Sequence, residues 1–374
     1  MVPLFKVFTA PSAAAQVAEV LASGTLTQGP RVDEFEARLR RHFDHPYAVT
    51  VNSCTSALHL ALHLVKREHG LPDDTEVLCT PLTCAATNFP VLANRLRIRW
   101  VDIEPTTLNI NLDEVERACT PNTRILLFVH WGGQPIDYDR LAQVRSAYRA
   151  RFGNDLIVIE DCAHAWEARW RDRLAGAVAD HFACFSFQAI KALTTGDGGL
   201  LLAPDEHFYR QARLARWFGL DRDNQQDFRG CQDIAHWGFK FHMNDLAAAL
   251  GLANYPHVAS LVARHRENAA FYDQSLRNIS GVMLLDRRPE SCPSFWLYTL
   301  RVAQRDRFCA HMHRRGIQVN RVHGRNDTLS ALRPYQRPLP VMDAVAQDMI
   351  CIPVGWWVSD EDREHIVRAI REGW

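Results

Sequence analysis

Residues 182–201 read F-A-C-F-S-F-Q-A-I-K-A-L-T-T-G-D-G-G-L-L, so one lysine, Lys191, stands between two strand-like apolar runs. Ser186 precedes it, and Gly196, Asp197, Gly198 and Gly199 turn the chain back. An ammonium is costly to bury without a partner, and burial lowers its pKa toward the range of an amine nucleophile. A lone lysine is ordinarily a surface group, so two other stretches decide the reading. In I-E-D-C-A-H-A (159–165), Asp161 ends an apolar strand and His164 follows three residues later. In N-S-C-T-S (52–56), a strand turns straight into an apolar helix. Free backbone N–H groups and hydroxyls meet there, an arrangement suited to a phosphate monoester.

Anion cradle, carboxylate and amine thus occur in that order, with Asp161 thirty residues before Lys191. Pyridoxal phosphate needs these three parts: a cradle for its phosphate, an amine for a Schiff base, and a carboxylate that keeps its pyridine nitrogen protonated as an electron sink. No metal site competes. His59 and His63 stand at i and i+4, but the residues between are Leu, Ala and Leu, without the acid of H-E-x-x-H, so they read as core histidines. Ten cysteines occur with no C-x-x-C pair, which argues against zinc, iron–sulfur and disulfide frameworks and for buried free thiols in a cytoplasmic protein.

The elements that must position these groups alternate. Helices are expected over 11–22, 32–43 and 55–67, opening at 81–88, from Asp113, and over 141–152. Strands are expected over 47–52, 76–80, 97–102, 125–130 and 156–160. Ser53 can cap the helix after it. Such alternation gives an α/β fold, a large mainly parallel mixed sheet flanked by helices, with ligands at the carboxyl ends of its strands. The loops 53–56, 131–134, 161–164 and 186–191 should therefore face one crevice. A cofactor-binding domain over 1–254, including an N-terminal arm, is followed by a smaller α+β domain over 255–374. The smaller domain has strands near 281–285 and 296–303 and helices over 305–315 and from Asp360. Residues 224–237 read as a polar loop over the substrate, 244–252 as a helix, and 257–278 as a long basic helix. Trp356 and Trp357 read as packing.

At 374 residues, with 47% hydrophobic and 23% charged content, the chain is of ordinary globular composition. Lys+Arg and Asp+Glu are equal at 43 each, so no nucleic-acid or acidic-membrane footprint appears. No apolar run approaches a membrane span, and the opening M-V-P-L-F-K-V-F lacks the layout of a signal peptide.

The run from S-G-T-L-T-Q-G-P (23–30) through V-N-S-C-T-S-A-L, P-L-T, H-W-G-G-Q-P, I-E-D-C-A-H-A and S-F-Q-A-I-K-A-L-T-T-G-D-G-G resembles the DegT/StrS-type sugar aminotransferases of fold type I. The resemblance spans nearly the whole chain. It implies pyridoxal 5'-phosphate as cofactor and transfer of an amino group from glutamate or glutamine to a keto group of a nucleotide-linked sugar, or of a cyclitol. By that pattern Lys191 forms the internal aldimine and shuttles the proton, and Asp161 pairs with the pyridine nitrogen. Cys54, Thr55 and Ser186 hold the phosphate, and His164 lies near the phenolic oxygen. The family's place for an asparagine reaching the partner subunit's phosphate is taken by Lys240, which implies a homodimer with shared sites. Cys54 replaces a usual glycine, Cys84 a usual stacking aromatic, and His164 a common glutamine. His323 and Arg325, in V-H-G-R-N-D, could meet an anionic substrate group. Two alternatives stand beside this reading: a sugar dehydratase, which carries histidine where Lys191 stands, and a cofactor-binding regulatory relative without turnover.

Overall fold

The structure is a computed structural model that describes residues 1–223 and 232–374. Most of the expected substrate loop, 224–237, lies outside the described residues. The chain opens with α1 (Ala13–Ser23) and α2 (Pro30–Phe43), and then strands and helices alternate as the apolar pattern requires. They are β1 (Ala48–Val51), α3 (Cys54–Glu68), β2 (Glu76–Cys79), α4 (Ala85–Ala93), β3 (Arg97–Trp100), α5 (Leu112–Ala118), β4 (Thr123–Val129), α6 (Tyr138–Phe152) and β5 (Ile157–Asp161). A hairpin of β6 (Arg169–Trp170) and β7 (Arg173–Leu174) leads to β8 (Phe182–Ser186) and β9 (Gly199–Leu202). Then come α7 (Glu206–Ala215), α8 (Asp245–Asn254) and α9 (Val258–Ser275). The remainder comprises β10 (Val282–Leu284), β11 (Ser291–Cys292), β12 (Tyr298–Val302), α10 (Arg305–Arg314), α11 (Pro340–Asp348), β13 (Met349–Ile352) and α12 (Asp360–Arg371).

Seven strands form one sheet in the order β1-β9-β8-β5-β4-β2-β3. Its pairings are parallel except those of β9, which runs antiparallel to β1 and to β8. Strands β1, β2, β8 and β9 carry near-continuous apolar runs because helices cover both of their faces. A second sheet, β10-β12-β13, packs on α9, α10 and α12 around Tyr272, Tyr298 and Phe308. Val2 pairs with Ile317 beside it, so the expected N-terminal arm leans on this second sheet. The indole of Trp357 donates to the carbonyl of Pro3 at 2.8 Å, in the packing role expected of it.

Several departures from the sequence pattern have local causes. The strand expected to reach Asp102 stops at Trp100, because the Asp102 carboxylate accepts from the amides of Val341 and Met342 at 2.8 and 2.9 Å. The strand expected from residue 296 starts at Tyr298, because Phe295 adopts a φ of 52°. Helices α8 and α9 run together through one tight turn as Asp245–Ser275, long and apolar enough by composition to cross a membrane. Half of the most apolar window is nonetheless buried. Asp245 accepts from the amides of Gly29, Arg31 and Val32, fixing the start of α2 on α8. All described cysteines are free thiols, and Cys292, expected to be buried like the rest, is exposed on a two-residue strand.

Behind the sheet a carboxylate is held with no arginine or lysine among the described residues touching it. Glu160 is fully buried and accepts from His130 Nε2 at 2.9 Å, from His181 Nδ1 at 2.6 Å and from the hydroxyl of Tyr138. The proton positions follow from what lies behind each ring. Ile136 N–H donates to His130 Nδ1 and Arg145 donates to His181 Nε2, so the opposite nitrogens carry the hydrogens that face Glu160. Burial alone would raise the Glu160 pKa, but the bonds from His130 and His181 outweigh it and hold the group at about 2. A folded pKa below the unfolded value adds stability that is fully present above about pH 4.5 and is lost as pH falls toward 2. Glu160→Gln should therefore lower stability by roughly 3 kcal/mol at pH 7 and by little below pH 2. Urea midpoints at both pH values check this, and equal losses at the two would overturn it.

Candidate active site

The carboxyl ends of β1, β2, β5 and β8 open on a cavity of about 560 Å³. Its wall includes Ser53, Cys54, Thr55, Cys84, Asp161, His164, Ser186, Lys191 and His323. Nine residues singled out in the sequence, from well-separated stretches, thus share one space. Lys240 and Arg325 do not line it. Of the four loops expected at the crevice, 131–134 supports it from behind, where Gly132 N–H donates to His164 Nδ1 at 3.3 Å. Gly133 carries a φ of 91° and lies so close to His164 that a Cβ there would stand 2.6 Å from the His164 carbonyl oxygen.

Each ionisable group has an identifiable environment. Asp161 ends β5, buried, with Oδ2 accepting from the Thr87 hydroxyl at 2.7 Å and Oδ1 from Ala163 N–H at 3.0 Å. Burial raises its pKa, and Thr87, Ala163 and the Lys191 charge oppose the rise. Lys191 follows β8, half-buried, and removal from water lowers its pKa to about 8 against the pull of Asp161. His164 is buried and its pKa lies well below the usual range, from burial first and then from the Lys191 charge. Because its Nδ1 accepts from Gly132, its proton sits on Nε2. Burial holds His323 at about 4.

At the other end of the cavity, Ser53 Oγ accepts from Ser56 N–H at 3.1 Å and caps α3. The helix starts at Cys54, its first amides and the exposed Thr55 on the cavity wall, so a positive helix end faces the space. Cys54 Sγ lies 3.9 Å from Asp161 Oδ1, which ties the cradle to the carboxylate. Gly199 of β9 lies directly against the cradle: a Cβ on it would stand 2.5 Å from the Ser53 carbonyl carbon and 2.6 Å from Cys54 N. Amine, carboxylate and anion cradle in one cavity fit pyridoxal phosphate.

Arg325 is committed elsewhere, forked on Asp327 at 2.9 and 2.7 Å and paired with Asp343. Lys240 is exposed, its ammonium 4.4 Å from the ring of Trp217. His59 and His63 pack on Phe239 with ring centroids 4.9 and 5.0 Å away, as core histidines do. Residues not singled out also line the cavity, among them Phe5, Gln188 and Trp296. Thr87 was missed behind Asp161; it lies in the first turn of α4, its hydroxyl 2.6 Å from that of Thr83, which precedes the helix.

A family model described as the DegT/DnrJ/EryC1/StrS aminotransferase family matches residues 9–371. The chain is 32% identical to the dTDP-4-dehydro-2,3,6-trideoxy-D-glucose 4-aminotransferase of Saccharopolyspora spinosa, over 81% of this chain and 79% of that one. Among solved structures, the sugar aminotransferase CalS13 from Micromonospora echinospora superposes with a TM-score of 0.96 at 42% identity, covering all of both chains. AtS13 from Actinomadura melliaura superposes with a TM-score of 0.95 at 46% identity, covering 100% of this chain and 99% of that one.

Gly199→Ala tests the cradle. Its methyl group forces the Ser53–Cys54 backbone away, and affinity for pyridoxal phosphate should fall by roughly tenfold or more. Spectrophotometric titration of the cofactor measures it, and an unchanged affinity would show that the cradle lies elsewhere.

Proposed function

The chain belongs to the DegT/DnrJ/EryC1/StrS aminotransferase family, and from that premise we propose that it transfers an amino group from glutamate or glutamine to the keto carbon of a nucleotide-linked sugar. The observation that supports this reading most directly is that Lys191, Asp161 and the start of α3 line one cavity. Pyridoxal phosphate is the cofactor, and when bound it supplies the electron sink through which the amino group changes carriers.

The residues divide the work by charge. The start of α3 at Cys54 and Thr55, with the Ser186 hydroxyl, holds the phosphate. Asp161, fixed by Thr87 and Ala163, would hold the pyridine nitrogen and keep a proton on it by opposite charge. Lys191 has a pKa near 8, so at pH 7 roughly a tenth of it carries a free lone pair on Nζ, enough to take and return a proton. His164, with its hydrogen on Nε2, donates to the cofactor's phenolic oxygen. His323 meets the acceptor from the second sheet's side of the cavity, and the ion pairs of Arg325 leave that residue to structure.

We also infer a homodimer with shared sites. Lys240 is exposed and lies outside its own chain's cavity, yet its carbonyl accepts from Asn52, one residue before the cradle. Phe218, Ile234 and Trp237 are exposed in the same region, 42, 42 and 65%. An isologous contact over that apolar surface carries Lys240 to the partner's phosphate.

Two measurements test the reading. Glutamate or glutamine alone should bleach the cofactor's visible band, and a nucleotide-linked keto sugar should then restore it with the mass of an amino sugar. If neither donor bleaches the band without acceptor present, the two-stage transfer is wrong. Mixing inactive Lys191→Ala chains with Lys240→Ala chains should give back activity, because one site of the hybrid carries neither lesion. Proven subunit exchange without recovery would place each site within a single chain.

A further inference from the structure

Trp296 enters the chain 105 residues after Lys191, yet it is the side chain on which the lysine rests. Lys191 Nζ lies 3.4 Å from the centroid of its indole, and the indole Nε1 donates to the carbonyl of Ile190 at 3.0 Å. One ring thus holds both the head of the lysine and the backbone beside it. The ring is itself wedged, with His164 stacked at 4.0 Å and 26° and Phe5 at 5.4 Å and 26°. Trp296 is 6% exposed. No carboxylate among the described residues forms an ion pair with Lys191. The charged and titratable groups that act on it are Asp161, Cys54 and Cys84, while His164 and His323 lie close enough to feel its charge.

We propose that Trp296 is the positioning residue of the amino transfer, its indole face being the seat of the Lys191 ammonium whenever that lysine is not bonded to the cofactor. The inference rests on the aminotransferase reading for its purpose and on the contact itself for its geometry. A carbon bonded to Nζ would lie roughly 1.5 Å from it, so the ring that seats the free ammonium is within reach of the carbon at which the amino group changes hands. In that exchange the C–N bond to Nζ breaks as the bond to the donor nitrogen forms. The donor arrives as an ammonium, its three N–H protons pass to Nζ, and one positive charge ends on Lys191. In a half-closed cavity that charge needs a counterpart that neither bonds covalently nor blocks the amine. A ring quadrupole meets both conditions, whereas an ion-paired carboxylate would hold the lysine charged. With Cys84 just before α4, the aromatic face of the cavity comes from Trp296 and its ring neighbours instead.

The test reads the lysine itself, so it requires no turnover. The full chain freed of cofactor is labelled with an amine-selective reagent across pH, and the Lys191 peptide is quantified by mass spectrometry. A cation–π contact favours the charged form, so weakening it should lower the labelling pKa. Protein made with fluorotryptophan keeps the shape of the ring and draws density from its face, and the midpoint should fall by a fraction of a unit. Trp296→Leu should lower it by on the order of one unit, and Trp296→Phe should restore most of that. An unchanged midpoint in the fluorinated protein overturns the proposal, as does a Phe variant no nearer the parent than the Leu variant. Failure of donor bleaching with these shifts intact would instead count against the aminotransferase reading.

Discussion

Glu160 and Asp161 end one strand and, by the alternation of side chains, enter opposite faces of the sheet, both buried. Two adjacent carboxylates out of water are tolerable only if each is fully hydrogen-bonded. Glu160 is answered by His130, His181 and Tyr138, and Asp161 by Thr87 and Ala163. These partners come from α6 and α4 and from the loops after β4, after β5 and before β8, so satisfying one strand end fixes how the helices sit on both faces. The two carboxylates also diverge in character. Three donors press Glu160 into a permanent anion, while burial raises the pKa of Asp161 and leaves it short of a cation. On the proposed reading, a protonated pyridine ring would supply that missing charge.

The lysine obeys the same constraint with the opposite sign. Lys191 reaches its lowered pKa by desolvation, and Asp161 limits the fall. The neighbouring imidazoles add no competing charge, because burial keeps the His164 and His323 pKa values low. The cavity therefore sets one mobile positive charge against the carboxylates of Asp161 and Asp197.

The readable part of this site is the part written locally. Strand, turn and helix signals around Ser53, Asp161 and Lys191 lie within a few residues of each group, and parallel-sheet topology forces their ends together. What the sequence hides depends on distant backbone. Trp296 is placed by the left-handed turn at Phe295 and a bond to Ile190, neither visible in its own neighbourhood. Arg325 looked like an anion ligand because no spacing rule shows that Asp327 and Asp343 close on it. Strand ends were overrun where a side chain such as Asp102 captured amides from another segment. Thr87, in the first turn of α4, is hidden in the same way, since only the packing of α4 on β5 brings its hydroxyl to Asp161.

The placement of β9 bears on how the chain comes into being. β1 has β9 as its neighbour in the sheet and a further bridge to His242, so its strand partners all lie after residue 198. The cradle at Ser53 and Cys54 is built on β1 and closed by Gly199. A nascent chain emerging from the ribosome therefore carries the cradle sequence for some 145 residues before the strand that pairs with β1 exists. By then Asp161 and Lys191 have already been made. The start of α3, the carboxylate and the amine consequently gain their final setting together, once β9 pairs with β1.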